Sequence, residues 1–179
     1  MPNWCNNSIT IKGSTETIKT LWEDATAEGS GLLEAMAPMP KELEDTVADG
    51  SEGVNWYNWR VSNWGTKWDV DTEGLEFTDN GDGTSEITGW FDSAWSPPID
   101  AYSAFCDDMD GVYLEAYYEE GGMCFVGYWD SEGADDHYDY SGATSDTVRN
   151  MIPEYLVDEY ALDERLAEYE EMEAEEVAE

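Results

Sequence analysis

NSITIKGSTETIKTLWEDA, residues 7–25, changes its hydrophobic period part-way through, and that change sets the fold. Ile9 and Ile11 alternate with Ser8 and Thr10, the period of two that marks a strand with one buried face. Gly13-Ser14 punctuates it. Ser14 or Thr15 is placed to N-cap the next element, and Glu16 suits a first helical turn. Ile18, Leu21, Trp22 and Ala25 then recur at i, i+3, i+4 and i+7, the core stripe of a helix. A strand therefore runs straight into a helix.

Outward from this unit, Gly29-Ser30-Gly31 ends the helix. Pro38 and Pro40 break any helix begun at residues 32–36, and Asp49-Gly50-Ser51-Glu52-Gly53 is a polar loop. An aromatic run comes next: Trp56, Tyr57, Trp59, Trp64 and Trp68. Residues 68–77 read as extended, Asp79-Asn80-Gly81-Asp82-Gly83 as a turn, and residues 84–91 as extended again, so the pair forms a hairpin. Pro97-Pro98 precedes a helix over residues 99–109, with Ile99, Tyr102, Phe105 and Cys106 facing inward. Residues 112–118 and 123–129 are strands flanking Glu119-Glu120-Gly121-Gly122. The order predicts an α+β fold: a βαββαβ core with one extra antiparallel strand and helices on one face.

The chain has 179 residues, with 43 Asp+Glu against 7 Lys+Arg and a formal charge of −36. Direct nucleic-acid binding is excluded, since it needs Lys and Arg to neutralise phosphates. Anionic membranes are disfavoured for the same reason. Disorder is countered by 41% hydrophobic residues, with 9 Trp and 11 Tyr able to build a core. No stretch reaches the roughly 18–20 apolar residues of a membrane span, and the first residues show no signal peptide. Cys5, Cys106 and Cys124 fit no zinc pattern and read as reduced thiols, so a cytoplasmic location is expected.

The charge is uneven. Residues 131–179 carry 17 Asp+Glu and 2 Arg, whereas residues 1–130 carry 26 acids and 5 bases. The chain divides accordingly into a domain over 1–130 and an acidic loop with a C-terminal helix and tail over 131–179. Residues 130–141 read as a polar loop. Ile152, Tyr155, Leu156, Tyr160, Leu162, Leu166 and Tyr169 predict one helix over 153–171, and the acidic end beyond it is expected to repel itself into disorder.

Three segments together resemble a known family. They are Met1-Pro2-Asn3-Trp4-Cys5-Asn6-Asn7, Asn63-Trp64-Gly65-Thr66-Lys67-Trp68-Asp69 and Phe91-Asp92-Ser93-Ala94-Trp95-Ser96-Pro97-Pro98. They resemble the YubB-type ferredoxin-like domain family of phage and plasmid proteins, over about residues 1–130, and Glu119-Glu120-Gly121-Gly122-Met123-Cys124-Phe125 is similar to its hairpin. The resemblance implies a ferredoxin-like core, here with a Trp-rich insertion and an acidic C-terminal helical segment, and a mobile-element origin. It implies no catalytic residue.

The Trp words make Trp64, Lys67, Trp68, Trp95 and Arg60 a candidate ligand pocket, since indoles offer stacking faces and the two cations would hold an anion. The alternative is that these rings pack beneath the sheet or brace long loops, with Lys67 and Arg60 paired to carboxylates. Asn3, Asn6, Asn63 and Ser93 are candidate polar members. Asp79–Gly83 fails as a calcium loop, because Gly81 and Trp90 stand where ligands are needed. His137 reads as a solvated loop residue. No motif of nucleophilic, nucleotide or metal catalysis occurs, so neither catalytic residues, metal nor cofactor are expected.

Three functions remain. The first is a phage-encoded acidic binding protein, a DNA-mimic-like inhibitor of host defence or transcription machinery. It would occupy the nucleic-acid-binding surface of a basic host protein through Asp158, Glu159, Asp163, Glu164, Glu168, Glu170 and Glu171. The second is a charge that serves solvation in a high-salt host, with function in the Trp-rich surface. The third is an enzyme or ligand sensor built on the Trp64–Trp68 and Trp95 region. The first is the leading expectation.

Overall fold

Ile9 and Ile11 lie on β1, Trp4–Ser14, an interior strand of the sheet. The computed structural model describes residues 3–48 and 53–178, with side chains described as far as Glu176. Met1-Pro2 and the expected loop at Asp49-Gly50-Ser51-Glu52 lie outside them. Ser14 caps α1, Thr15–Ala25, its Oγ accepting from the Thr17 N–H at 3.1 Å. Ile18, Leu21 and Ala25 are buried, as the helical spacing requires.

Next come α2, Leu32–Met36, a 3-10 turn, Lys41–Leu43, and α3, Trp56–Trp64. The hairpin is β2, Leu75–Asp79, and β3, Thr84–Ala94. Residues 68–74, expected to be extended, form a loop instead, because the chain must turn there to reach the sheet edge. Helix α4, Ile99–Asp108, leads into β4, Tyr113–Glu120, and β5, Phe125–Asp130.

Strands β2-β3-β1-β4 are antiparallel neighbours in that order. This is the ferredoxin-like arrangement: each helix returns the chain past one intervening strand, so consecutive parallel strands never touch. Strand β5 pairs with β4, and β6, Asp135–Asp139, pairs with β5. The expected polar loop is thus partly a strand. Its side chains alternate between exposed and half-buried, which an edge strand tolerates.

One core fills the space between the sheet and α1 to α4, with Ile9, Ile11, Ile87, Leu114, Tyr102 and Phe105 among its members. Leu114 and Ala116 of β4 face it, so Tyr117 and Glu119 face the other way. That second face is covered at its β4–β6 end by α5, Val148–Met151, α6, Glu154–Tyr160, and α7, Leu162–Ala178. Val126, Tyr140, Val148, Ile152, Leu156, Val157 and Leu162 form a second core there. Helices therefore lie on both faces rather than one. The single helix expected over 153–171 is two, because Ala161 adopts a left-handed conformation at φ +46 between them. The acidic end expected to be disordered continues α7 to Ala178.

Candidate functional site

Ile87, Gly89 and Phe91 register opposite Ile11, Ile9 and Asn7 on the core face of the sheet. Trp90 must then face away from that core, and it is 57% exposed. Trp4, one residue before buried Cys5, shares that outer face and is 50% exposed. Two glycines bring a third indole to them. The Trp90 N–H donates to the Gly74 carbonyl at 3.1 Å. A Cβ on Gly89, whose φ is +138, would stand 2.1 Å from that carbonyl oxygen, and one on Gly74 would stand 2.2 Å from the Trp90 carbonyl. Only glycine permits this approach. The loop 68–74 therefore lies against β3, and the Trp68 ring comes to 5.9 Å from that of Trp4.

The result is a cavity of about 460 Å³ walled by Trp4, Trp68 and Trp90, with Asp69, Asp71, Glu73 and Asp92 on its lining. Asp71 accepts from the Glu73 N–H at 3.0 Å, and Asp92 accepts from Asn6 Nδ2 at 3.3 Å. No ion pair to Asp71, Glu73 or Asp92 forms among the described residues. The cavity is thus aromatic in its walls and anionic in its charge, an arrangement that suits a cation.

Beside it, the three Trp-containing words are tied into one knot. Asn7 Nδ2 donates to Ser93 Oγ at 2.8 Å, and Ser93 Oγ donates to the Ser96 carbonyl at 2.7 Å. The Trp95 N–H donates to the Asn3 carbonyl at 3.0 Å. Thr66 Oγ1 donates to the Ala94 carbonyl at 2.8 Å, and Ser96 Oγ to that of Gly65. Asn63 serves its own helix by donating to the Trp59 carbonyl.

The sequence-derived pocket fares unevenly. Trp64 is fully buried, with Nε1 donating to the Ala37 carbonyl at 2.8 Å, so its ring offers no face at the surface. Arg60 packs on two indoles, its Cζ 4.7 Å from the Trp64 ring centre and 5.4 Å from that of Trp56, and it lines a second, smaller cavity with Trp68, Trp56, Met39 and Glu44. Lys67 Nζ lies 4.4 Å over Trp68. Trp95 is half-exposed at φ +73, an uncommon conformation for a bulky residue. Trp68 alone of the five lines the aromatic cavity. Sequence reasoning misses Trp4, Trp90 and the carboxylates, although the alternation through Ile87 and Phe91 already places Trp90 outward.

The acidic segment has a different character. Arg149 clamps Asp158 at 2.9 Å and Asp163 at 2.8 Å. Arg165 reaches buried Glu119 at 3.3 Å, which also accepts from the Tyr140 hydroxyl. Glu170 accepts from the Ser145 N–H and hydroxyl. Of the seven candidate carboxylates, Asp158, Asp163 and Glu170 are thus engaged within the chain. Glu159, Glu164, Glu168 and Glu171 are exposed and make no ion pair among the described residues.

From the end of α3 into α7, residues 63–170 match the family described as the ferredoxin-like domain in Api92-like protein. The chain belongs to that family. The crystal structure of a protein api92 from Yersinia pseudotuberculosis is similar at 9% identity and a TM-score of 0.44, over 80% of this chain and 99% of that one. No curated protein matches. The Api92-like match takes in β6, α5 and α6, all C-terminal to residue 130.

Burial is the leading cause of the raised pKa values of Cys5, Asp69, Tyr118 and Tyr140 in this Api92-like chain. The Cys5 thiol is pushed up by burial and then by Glu119 and Glu120, which makes it a poor nucleophile. His137 sits exposed on β6, its Nδ1 3.1 Å from the Tyr118 hydroxyl. Among the described residues no three His, Cys, Asp or Glu side chains converge to hold a metal, and no helix is long and apolar enough to cross a membrane.

Asp69 accepts from the Leu33 and Val70 N–H groups, each at 2.8 Å, and so supports the start of α2 from a distant loop. Burial nonetheless holds its pKa above the ordinary 3.8, outweighing these donors. A raised carboxyl favours the folded state below its unfolded pKa, and that stability is lost as pH rises through the folded value. Relative to Asp69→Asn, the parent is therefore expected to lose stability as pH rises from 3.8 through the raised value. Urea midpoints of both proteins across that window check this.

Proposed function

We propose that the protein is a non-catalytic, phage- or plasmid-encoded binding protein that occupies the nucleic-acid-binding surface of a basic host protein in the host cytoplasm. The observation carrying this reading is the outer stripe of α7. Glu164, Glu168, Glu171 and Glu175 recur at i, i+4, i+7 and i+11, so they share one face, with axial steps of about 4.5–6 Å. Those steps are longer than the roughly 3.4 Å axial phosphate spacing on one DNA strand but within twofold of it. All four are exposed. The segment's two arginines are spent elsewhere, on Asp158, Asp163 and Glu119. A rigid, uncompensated row of carboxylates is what a protein surface built for phosphates would bind, with fast and salt-sensitive association.

Deleting α5 to α7 would uncover Val126 and Tyr140, so the test uses substitutions. Immobilised protein is exposed to bacterial lysate. Nucleic-acid-binding proteins are expected to be retained, to be displaced by added duplex DNA, and to be released as NaCl rises from about 50 to 500 mM. Replacing Glu164, Glu168, Glu171 and Glu175 together by glutamine is expected to weaken retention about tenfold or more. Retention indifferent to duplex DNA overturns the reading.

The solvation alternative draws support from acids spread far from α7, with 26 on residues 1–130. It predicts a large gain in unfolding free energy in molar salt for the parent and the glutamine variant alike, and no DNA-displaceable partner.

A further inference from the structure

We propose that the cavity between Trp4, Trp68 and Trp90 is a receptor for an arginine side chain presented by the protein's partner. This deepens the docking reading and rests on it in one respect, that the partner is basic. The cavity differs in kind from the α7 surface: its walls are indoles, not a row of acids.

Three observations carry the assignment. Trp4 and Trp90 expose 50% and 57% of their surface on the outer sheet face, away from both cores. Large aromatics left open beside a cavity mark contact surfaces more than stability, and Trp is the commonest anchor of such surfaces. Next, the space of about 460 Å³ is lined by Asp71, Glu73 and Asp92, whose charge no described cation neutralises. A neutral or anionic ligand would leave those carboxylates uncompensated, whereas a cation meets both the ring faces and the charge. Finally, the chain already handles its own cations in this way. Arg60 is held between Trp56 and Trp64, its buried Nε making no hydrogen bond among the described residues, and Lys67 lies over Trp68.

Arginine fits better than lysine. A planar guanidinium stacks on one indole while its in-plane N–H groups reach carboxylates at the rim. It is also more weakly hydrated than an ammonium, so it leaves water at lower cost. Asp92 and Glu73 are the rim groups for those N–H donors, with Trp90 as the stacking face. Partners that bind nucleic acid supply such side chains in abundance, because arginine reads phosphates and guanine edges.

The test uses the full chain and a small probe, so it does not depend on finding the partner. N-acetyl-arginine N-methylamide is titrated while the indole Nε1–H signals are followed by NMR. The expected result is saturable movement of the Trp4, Trp68 and Trp90 signals with a Kd of about 1–10 mM. The citrulline analogue, isosteric but neutral, is expected to leave them in place. Trp90→Ala and Asp92→Asn are each expected to weaken the arginine probe about fivefold or more. Trp90 is exposed, so an unchanged unfolding midpoint shows that its loss is not misfolding. Equal movement with citrulline, or no movement of these three signals, overturns the receptor. Equal affinity for the lysine analogue overturns the guanidinium assignment. Failure of the probe leaves DNA-displaceable retention by α7 untouched, and failure of that retention leaves the probe result standing, so the two readings fail separately.

Discussion

Replacing Trp64 by alanine is expected to lower stability by about 3–5 kcal/mol, the range for deleting a buried Trp side chain. Trp64 is fully buried where α3 meets the segment after α2. Its ring edges onto Trp59 at 5.9 Å and receives Arg60 at 4.7 Å. Its Nε1–H satisfies the Ala37 carbonyl, and an orphaned buried acceptor adds about 1–3 kcal/mol of cost. Domains are stable by only about 5–15 kcal/mol in total, so the variant should melt about 10 °C lower or more. Trp64→Phe keeps most of the volume and loses the donor, and is expected to cost about 1–2 kcal/mol. Trp95→Gly is the contrast. It removes a half-exposed ring from a backbone at φ +73, and stability is expected to be unchanged or higher by about 0.5–1 kcal/mol. Thermal and urea unfolding of the three proteins checks the order.

Arg165→Met is expected to cost about 2–3 kcal/mol, although the arginine side chain is itself 42% exposed. The cost falls on Glu119, which is 7% exposed at its side chain and faces the second core. With Arg165 removed, a buried carboxylate keeps the Tyr140 hydroxyl but loses its counter-charge. Tyr140 offers no relief, since burial and Glu119 both push its own pKa up and it stays protonated. Arg165→Met combined with Glu119→Gln is expected to recover all but about 1 kcal/mol, because a neutral amide needs no counter-charge. The double-mutant cycle, read from urea midpoints, measures the coupling. A near-additive result would mean that the Arg165–Glu119 pair adds little to the packing of Leu162 and Leu166 and to the Asp163 and Glu170 contacts of α7.

The ferredoxin-like core is legible in the sequence because its elements carry opposite periods. Ile9 and Ile11 against Ile18, Leu21 and Ala25 leave little choice of element, and Ser14 caps where expected. Strand β6 is not legible. Asp135, Asp136, His137 and Asp139 give no hydrophobic alternation, because an edge strand beside exposed surface needs little. The break at Ala161 also leaves no sequence mark, since alanine favours helix and only packing of Leu156 and Leu162 into one core forces the turn. The five candidate pocket residues stand out by rarity, which selects buried tryptophans as readily as exposed ones. Facing, not rarity, separates Trp90 from Trp64. That distinction is available from the register of Ile87 and Phe91, whereas the approach of Trp68 to Trp4 depends on Gly74 and Gly89 meeting across the sheet edge.

The place of β1 in the sheet also bears on how the chain is made. Asn6 pairs with Asp92 on one side and Glu119 on the other. Strand β1 leaves the ribosome before either neighbour and so waits for both. At about 5–20 residues per second that interval is on the order of ten seconds. Until β3 emerges, Ile9 and Ile11 have no sheet to join, which is when nascent chains stick to one another. Sibling chains on the same message carry the same excess of acids, so like charge opposes that sticking while the sheet is incomplete.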